Sequence, residues 1–321
     1  GLGYIGLPTA TVIAQSGYRV IGVDINEEVV STINNGKIHF IETDLELEVS
    51  KVIKNRQLSA RQTPVIADVF IIAVPTPFQN ESESIPQPNI DFVISAAASI
   101  AKVVKSGDLI ILESTSPVGT TEKISQQICN LASLDQNQIK VAYCPERVLP
   151  GRVLKELISN DRVIGGINTI SSNAAKAFYS NFCEGNLLTT DARTAELVKL
   201  TENAYRDVNI AFANEMSLVS SELNIDIYEL INLANHHPRV NILHPGCGVG
   251  GHCIAVDPWF IAAKSPSVTP LIQVAREVND KKCLWVINQI VSEAKCLEAK
   301  LNKPPTIGCF GLAFKPDIDD L

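Results

Sequence analysis

Gly1-Leu2-Gly3-Tyr4-Ile5-Gly6 opens the chain with the spacing Gly-x-Gly-x-x-Gly, and this stretch decides the predicted fold. Residues 7–16 follow as a predicted helix of small and apolar side chains, which Gly17 ends. Residues 19–24 then form a predicted buried parallel strand that ends in Asp24. A glycine turn, a helix and a strand in this order indicate a dinucleotide-binding α/β unit, although the strand that should precede the turn is not in the sequence. The alternative is an ordinary glycine-rich turn with a surface aspartate.

Asp24 also indicates which dinucleotide is bound. It lies 18 residues after Gly6, about where an acidic residue binds the adenosine ribose hydroxyls in such units. Its carboxylate would repel a 2′-phosphate, so the sequence favours NAD over NADP.

Three further predicted strands, residues 69–74, 109–113 and 141–144, alternate with helical segments, as a doubly wound parallel sheet requires. Ligands of open α/β sheets lie beyond the carboxyl ends of the strands. Four candidate residues follow these ends: Thr76, Thr115, Glu146 and Arg147. Each could instead be a turn or capping residue, which is the commoner role of threonine. Their shared placement favours a ligand site.

Composition limits the classes of partner. The 321 residues are 45% hydrophobic, enough for two domains and part of a third. Lys and Arg number 27 against 35 Asp and Glu, a net charge of −8, which argues against a nucleic-acid partner. A small anionic ligand stays possible, because a few basic residues and helix N-termini suffice to hold phosphates.

Cysteine usage and the absence of targeting segments predict a cytoplasmic protein. The eight cysteines have irregular spacing and form no disulfide framework, as in a reduced compartment. The sequence contains no signal peptide and no apolar run of 18 residues, so no membrane partner is expected. The chain starts at Gly1 without a methionine and ends at Leu321 inside a predicted new element, and we interpret it as a fragment.

Residues 190–223 contain neither Gly nor Pro and predict one long helix with Asp191 as its N-cap. The predicted core face comprises Leu197, Leu200, Ala204, Val208, Ala211 and Val219. A separate polar stripe is formed by Lys199, Asn203 and Arg206 at positions i, i+4 and i+7. The stripe is either a solvated face or one side of a site. The helix is long enough to bridge two domains and to form a homodimer surface.

The loop from Pro245 to Phe260, PGCGVGGHCIAVDPWF, predicts covalent catalysis by Cys253. Its glycines let the backbone approach a ligand closely, and a thiol at the end of such a loop is open to attack a carbonyl carbon. Asp257 supplies a carboxylate four residues later. Two alternatives are an ordinary buried cysteine and a metal site. The metal reading would use Cys247, Cys253, His252 and His244, but their spacing is unlike that of known zinc sites.

Two more segments complete the predicted organisation. Residues 235–241, NHHPRVN, are rich in donors suited to a pyrophosphate or a sugar. A further helix is predicted over residues 269–299. Residues 306–316 are then predicted to form a strand and a turn that open another α/β domain.

These residues together resemble the UDP-glucose/GDP-mannose dehydrogenase family over essentially the whole chain. Any one motif could mislead, but the set in this order is specific. The matching motifs are GLGYIGLP at 1–8, AVPTP at 73–77, ESTSPVGTTEK at 113–123, YCPERVLPGR at 143–152, KLTENAYRDVNIAFANE at 199–215, HPRVNILHPG at 237–246, GVGGHCIAVDPWF at 248–260 and FGLAFKPDIDDL at 310–321.

The resemblance implies three domains. Residues 1–189 would form a Rossmann-like NAD-binding domain without its first strand. Residues 190–303 would form a central helical domain for catalysis and dimerisation. Residues 304–321 would begin a UDP-binding α/β domain. Because most of that domain and the first strand are missing, we expect no turnover from residues 1–321 alone.

The resemblance also implies a reaction in which NAD oxidises a nucleotide sugar at C6, from alcohol to carboxylate, by four electrons. Cys253 would carry a thiohemiacetal and then a thioester. Lys199 and Asn203 would stabilise oxyanions or move protons, and Asp257 and Glu146 would position or deprotonate water. The product would supply surface polysaccharide synthesis.

Site residues follow position by position from the matched motifs, and no metal is among the expected ligands. The expected NAD contacts are Gly1, Gly3, Tyr4, Ile5, Gly6, Asp24, Thr76 and Thr115. The expected substrate contacts are Arg147, Val148, Lys199, Asn203, Arg206, His237, Arg239, Gly250, Phe314 and Lys315.

The choice of substrate depends on two features of the sequence. Arg147 stands where UDP-glucose dehydrogenases have an aromatic residue, and with the HPRVNIL run it favours UDP-N-acetyl-D-mannosamine. UDP-glucose or another nucleotide sugar is the alternative. Two rival functions are a two-electron hydroxyacid dehydrogenase, which would not need Cys253, and a non-catalytic module that binds NAD or zinc.

Overall fold

The computed structural model describes residues 1–80 and 82–311. Its strands are β1 Val20–Val23, β2 Leu58–Arg61, β3 Val69–Ile72, β4 Leu109–Leu112, β5 Lys140–Tyr143, β6 Arg162–Gly166 and β7 Leu187–Asp191. Its helices are α1 Gly6–Gln15, α2 Glu27–Asn34, α3 Leu45–Lys54, α4 Asp91–Ile100, α5 Thr120–Ala132, α6 Val153–Ser159, α7 Thr169–Tyr179, α8 Ala192–Glu222, α9 Ile227–Ala234, α10 Asp257–Lys264 and α11 Pro270–Leu301, with a short 3₁₀ helix at Pro266–Val268.

Local signals in the sequence predict where several of these helices begin or end. Gly17 follows α1 with a φ of 94°, a left-handed conformation that suits glycine and ends the helix. Asp191 caps α8, because its carboxylate accepts hydrogen bonds from the Thr194 amide at 2.9 Å and hydroxyl at 2.6 Å.

The strands form two sheets. β1 and β2 pair in parallel, and β3, β4, β5, β6 and β7 form a second sheet in that order. Neighbours in the second sheet are parallel except β5 and β6, which pair antiparallel through Ala142 with Gly166 and Tyr143 with Gly165. The predicted α/β fold with a parallel sheet is confirmed, while the antiparallel join was not foreseen.

Both faces of the five-stranded sheet are covered by helices. In β4, Ile110 and Leu112 pack with α4 and α5, whereas Leu109 and Ile111 pack with α7 on the other face. Successive side chains of a strand point to opposite faces, so a strand buried on both faces is apolar throughout. Burying each such side chain fully stabilises the fold by about 1.5–3 kcal/mol.

The described chain divides into two compact units. The first comprises residues 1–80 and 87–199, and the second comprises residues 82–86 and 200–311. Helix α8 therefore contributes its first turns, up to Lys199, to the first unit and the rest to the second. No helix among the described residues is long and apolar enough to span a membrane.

The second unit is helical, and α8 meets α11 through buried polar side chains. We call this contact the polar helix interface, and it comprises Asp207, Asn214, Ser217, Arg276, Asn279 and Lys282. Two residues of the predicted core face of α8, Leu197 and Val219, are instead exposed. The side of α8 that meets α11 carries Asp207, Asn214 and Ser217. The prediction of a strand from Thr306 is wrong for the residues up to Gly311, which form neither helix nor strand.

Candidate active site

The glycine turn before α1 has room for a side chain at only one of its three glycines. A Cβ on Gly1 would overlap the carbonyl oxygen of Ala73, and one on Gly6 would overlap the carbonyl oxygen of Gly1. A Cβ on Gly3 would meet no described heavy atom within 4 Å. The turn thus packs tightly on β3 while its middle residue borders open space at the N-terminus of α1. A dinucleotide pyrophosphate fits such a place, because the helix N-terminus favours an anion there.

Asp24 lies beside this turn, at the end of β1. Its two carboxylate oxygens accept the amide protons of Leu2 and Asn26, each at 2.9 Å. The half-exposed Tyr4 ring lies 4.4 Å from the ring of Phe40. Ile5 is the N-cap residue of α1. The residues expected to bind NAD from the first 24 positions therefore cluster at one end of β1.

Thr76 and Thr115 connect the ends of two neighbouring strands. The Thr76 hydroxyl donates a hydrogen bond to the Thr115 carbonyl at 2.8 Å, across the loops that follow β3 and β4. Both side chains are half-buried. This hydrogen bond is a structural role for Thr76, and its placement at the carboxyl edge of the sheet also fits the cofactor-binding role.

Glu146 and Lys199 form the polar centre of the first unit. Glu146 follows β5, and its main-chain carbonyl accepts a 2.8 Å hydrogen bond from the buried Lys199 ammonium. The Glu146 carboxyl accepts the amide proton of Val148. Burial raises the pKa of Glu146 to about 7, although the positive charge of Lys199 opposes the rise. A carboxyl group with this pKa exchanges protons near neutral pH.

Arg147 and Val148 are the other candidates in the loop after β5, and main-chain atoms take part in the hydrogen bonds that hold this loop. The Arg147 guanidinium donates to the carbonyl of Asp161 at 3.1 Å, and the Arg147 carbonyl accepts from Asn160 at 2.9 Å. Val148 is half-buried. The loop is also tied to the segment before α3, because the buried Glu42 carboxylate accepts the amide protons of residues 151 and 153 at 2.8 and 3.1 Å.

A second polar centre lies in the second unit. Asn203 of α8 donates its side-chain amide to the Asp257 carboxylate at 2.6 Å, and both side chains are buried. Asp257 is the first residue of α10. Asn203 lies one turn after Lys199 along α8.

Cys253 lies immediately before this centre and is exposed, so it is not a structural cysteine in a core. Its carbonyl accepts the amide protons of Val256 and Asp257 at 3.1 and 2.9 Å. Gly251 has a φ of 82°, which places the one left-handed residue of the predicted loop two positions ahead of the thiol. The main chain of Cys253 is thus bonded to that of Asp257, and an exposed thiol is accessible for nucleophilic chemistry.

Other predicted substrate residues of the second unit lie at the surface. Arg206, His237, Arg239 and Gly250 are exposed. The segment between α9 and the glycine loop is clamped by Asn235, whose side chain exchanges two hydrogen bonds with the main chain of Ile242 at 2.7 and 3.0 Å. Phe314 and Lys315 lie outside the described residues.

The metal alternative for this loop finds no ligand set. Among the described residues, no three His, Cys, Asp or Glu side chains are grouped so that they could hold a metal ion.

Sequence reasoning missed the residues that support these centres. Behind the first centre, Glu113 is buried, accepts the Tyr179 hydroxyl at 2.7 Å and lies 3.9 Å from Arg162. In the second unit it missed the whole polar helix interface. Asp207, Asn214 and Ser217 extend the stripe of Asn203 at helical spacing, and that spacing was the available signal.

Comparison with known families agrees with this geometry. Residues 1–183 match the UDP-glucose/GDP-mannose dehydrogenase family, NAD binding domain, and residues 193–281 match the central domain of the same family. The chain belongs to the UDP-glucose/GDP-mannose dehydrogenase family. It is therefore an NAD-dependent nucleotide-sugar dehydrogenase by family, as the sequence predicted.

Individual relatives match all or nearly all of the chain. A UDP-N-acetyl-D-mannosamine dehydrogenase of Escherichia coli (strain K12) is 54% identical, over 100% of this chain and 78% of the relative. An NDP-N-acetyl-D-galactosaminuronic acid dehydrogenase of Ralstonia nicotianae is 52% identical, over 100% of this chain and 76% of the relative. The solved structure of a UDP-D-ManNAc dehydrogenase from Pyrococcus horikoshii is 41% identical with a TM-score of 0.88, over 94% of this chain and 71% of that one.

Proposed function

We propose that this protein oxidises UDP-N-acetyl-D-mannosamine at C6 to UDP-N-acetyl-D-mannosaminuronate, with Cys253 as a covalent nucleophile. The observation that carries the proposal is the exposure of Cys253, whose carbonyl accepts the amide proton of Asp257, a member of the buried Asn203–Asp257 pair. A two-electron hydroxyacid dehydrogenase would need neither feature. The 54% identical Escherichia coli relative supports the choice of sugar.

The proposed chemistry assigns a separate task to each residue. NAD, when bound, accepts the hydride in each of the two oxidations. The Cys253 thiolate adds to the aldehyde carbon, and the resulting thiohemiacetal loses a hydride and a proton to become a thioester. Water then cleaves the thioester, which frees the carboxylate and restores the thiol. The atoms balance with one water consumed and two NADH formed for each sugar.

The chain's own groups would handle the protons and oxyanions of these steps. Lys199 carries a positive charge in a buried position, where an ammonium stabilises a developing oxyanion. Asn203 holds Asp257 through the 2.6 Å hydrogen bond, which orients the carboxylate. Asp257 and Glu146 are the groups we propose for positioning and deprotonating water.

The cofactor proposal rests on Asp24 and the glycine turn. Gly1, Gly3, Tyr4, Ile5, Gly6, Asp24, Thr76 and Thr115 are the proposed NAD contacts. With Asp24 at the end of β1, replacement by Ser would remove the negative charge that disfavours a 2′-phosphate. The ratio of kcat/KM for NAD to that for NADP should fall, while the same ratio for Asp44→Ser, outside the cluster, should not.

The names of the relatives indicate two candidate sugars for the substrate. The Ralstonia nicotianae relative, at 52% identity, is named for an N-acetyl-D-galactosaminuronic acid, so the C2 and C4 configuration is the open point. We propose that Arg147, Val148, Lys199, Asn203, Arg206, His237, Arg239, Gly250, Phe314 and Lys315 hold the nucleotide sugar.

The assay that tests the function uses the natural full-length protein with equal concentrations of four UDP-sugars. These are the UDP derivatives of N-acetylmannosamine, N-acetylgalactosamine, N-acetylglucosamine and glucose. The proposal expects the highest kcat/KM for the first and two NADH for each uronate. One NADH for each sugar would exclude the covalent mechanism, and a preference for another sugar would refute only the substrate.

We also propose that the protein is a homodimer through α8, within a central domain of residues 190–303. Tyr205, Phe212 and Val219 are exposed and lie seven residues apart, so they form one apolar seam. Phe212→Glu should convert the dimer to a monomer in sedimentation, whereas Ile170→Glu, an exposed site on α7, should not. A monomeric wild-type protein would refute the proposal.

The eight cysteines, all thiols in the described chain, support a reduced cytoplasmic location.

A further inference from the structure

The loop that carries Cys253 lies against α8 and α11 at two glycines. The Gly246 amide donates a 2.9 Å hydrogen bond to the side-chain oxygen of Asn214 on α8. Two residues later, a Cβ on Gly248 would overlap the Cys283 sulfur of α11. The loop therefore lies directly on the two helices, five to seven residues ahead of the nucleophile.

Asn214 is one link in a chain of buried hydrogen bonds. Its amide nitrogen donates to the Asn279 side-chain oxygen at 2.8 Å, and the Asn279 amide nitrogen donates to the Asp207 carboxylate at 2.8 Å. The same carboxylate oxygen accepts from Arg276 at 2.7 Å. Asp207, Asn214 and Asn279 are completely buried.

The ends of this chain fix the direction of every amide in it. Gly246 presents an N–H, so Asn214 must turn its oxygen towards the loop and its nitrogen towards Asn279. Asp207 is an acceptor at the other end, so Asn279 must turn its nitrogen towards Asp207. Reversing either amide would place two acceptors or two donors together in a buried site, which is costly.

We propose that Asn214 and Asn279 are positioning residues for Cys253, which fix the nucleophile loop by relaying the orientation imposed by Asp207 to the Gly246 amide. This inference rests on the proposed role of Cys253. At its other end the loop is held by the Asn203–Asp257 pair, so the thiol lies between two anchored points. Loosening the first anchor leaves the far one in place and changes the position of the thiol.

The test uses Asn214→Asp in the natural full-length protein. The carboxylate still accepts the Gly246 proton but cannot donate to Asn279, so the chain of hydrogen bonds is interrupted. Amide hydrogen exchange at residues 245–251 should become about tenfold faster, because the loop opens locally. kcat should fall about 10- to 100-fold, since a displacement near 1 Å has such an effect. KM for the UDP-sugar should stay within about threefold.

A second variant tests the relay through Asn279. Asn279→Ala removes the middle link, while Arg276 keeps its hydrogen bond to Asp207, so the Asn214 amide loses the partner that fixes its direction. Loop exchange should become faster and kcat should fall, as in Asn214→Asp. Asn288→Asp is the matched control, because it makes the same exchange of amide for acid at an exposed position of α11.

Each result of these experiments either supports the inference or overturns it. Unchanged exchange at the loop in Asn214→Asp would overturn the inference, as would faster exchange with unchanged kcat. Unchanged loop exchange in Asn279→Ala would also overturn it. If the wild-type protein lacked the proposed activity, exchange in the three variants would still report whether the loop is held in this way, so the two failures are distinguishable.

Discussion

The five-stranded sheet and the polar helix interface are both buried, but they are built from opposite chemistry. Strand β4 contributes Leu109, Ile110, Ile111 and Leu112, four apolar side chains in succession. The interface of α8 and α11 instead buries charged and amide groups that bond to one another. Apolar contacts have no direction, whereas hydrogen bonds do. The sheet can thus stabilise the fold, while the helix interface can orient a loop.

The largest expected effect comes from replacing Cys253, which should lower kcat strongly and leave the stability of the fold almost unchanged. Cys253→Ser should lower kcat at least about a thousandfold, because the hydroxyl is a far weaker nucleophile than a thiolate. The free energy of unfolding should change by less than about 0.5 kcal/mol, since the side chain is exposed. Initial rates of NADH formation and urea unfolding measure the two effects.

Cys247→Ser is the matched control, because Cys247 lies in the same loop and is also exposed. It should retain kcat within about twofold. Equal losses from both substitutions would mean that the loop, and not the thiol at position 253, is what the reaction needs.

A substitution in the sheet should show the reverse behaviour. Ile111→Ala in β4 removes a fully buried side chain and should cost about 2–5 kcal/mol in the free energy of unfolding. kcat for the folded fraction should be unchanged, because Ile111 touches no proposed site residue. Leu131→Ala, at an exposed position of α5, should cost less than about 0.5 kcal/mol. A stable Ile111→Ala protein with low kcat would remove the distinction between the two regions.

The smallest expected effect is the pH dependence from Glu146, in the first unit. Burial raises its pKa to about 7, so the proton-accepting carboxylate forms only above that pH. Below the inflection, kcat should fall about tenfold for each pH unit, and Glu146→Gln should remove the inflection. The folded state holds this proton between pH 4.5 and 7 and the unfolded state does not. Glu146 therefore makes the fold less stable as the pH rises across that range.

Glu156→Gln is a control for this pH profile. The Glu156 carboxylate accepts the Leu149 amide at 2.9 Å, and its negative charge slightly raises the pKa of Glu146. Its loss should shift the inflection slightly downwards and keep its shape. An inflection that survives in Glu146→Gln would assign the titration to another group.

The same contrast explains what the sequence could predict. Consecutive apolar residues and the glycine turn are local signals, so β1, β3, β4 and β5 were located within two residues. The motifs predict Lys199, Asn203, Asp257 and Cys253 as site residues, and the structure pairs Asn203 with Asp257. The antiparallel pairing of β5 with β6 was not predictable, because it depends on contacts between distant segments.

The polar helix interface escaped prediction for the same reason. A stripe of polar residues on α8 does not reveal whether water or another helix covers it. Only the placement of α11 shows that Asp207 pairs with Arg276 and that Asn214 pairs with Asn279. Arg206, predicted on the stripe, is exposed, because it lies one position away from Asp207 on the helix and so points to another side.

Covalent capture of the substrate by Cys253 can be tested directly by mass spectrometry. The natural full-length protein would be mixed with NAD and UDP-N-acetyl-D-mannosamine, quenched in acid and digested with trypsin. The peptide of residues 240–264 contains both Cys247 and Cys253, and fragmentation separates them. The account predicts a mass increase of the sugar acyl group on Cys253, enriched in Asp257→Asn. Two NADH for each uronate without any adduct on Cys253, or with the adduct on another residue, would contradict it.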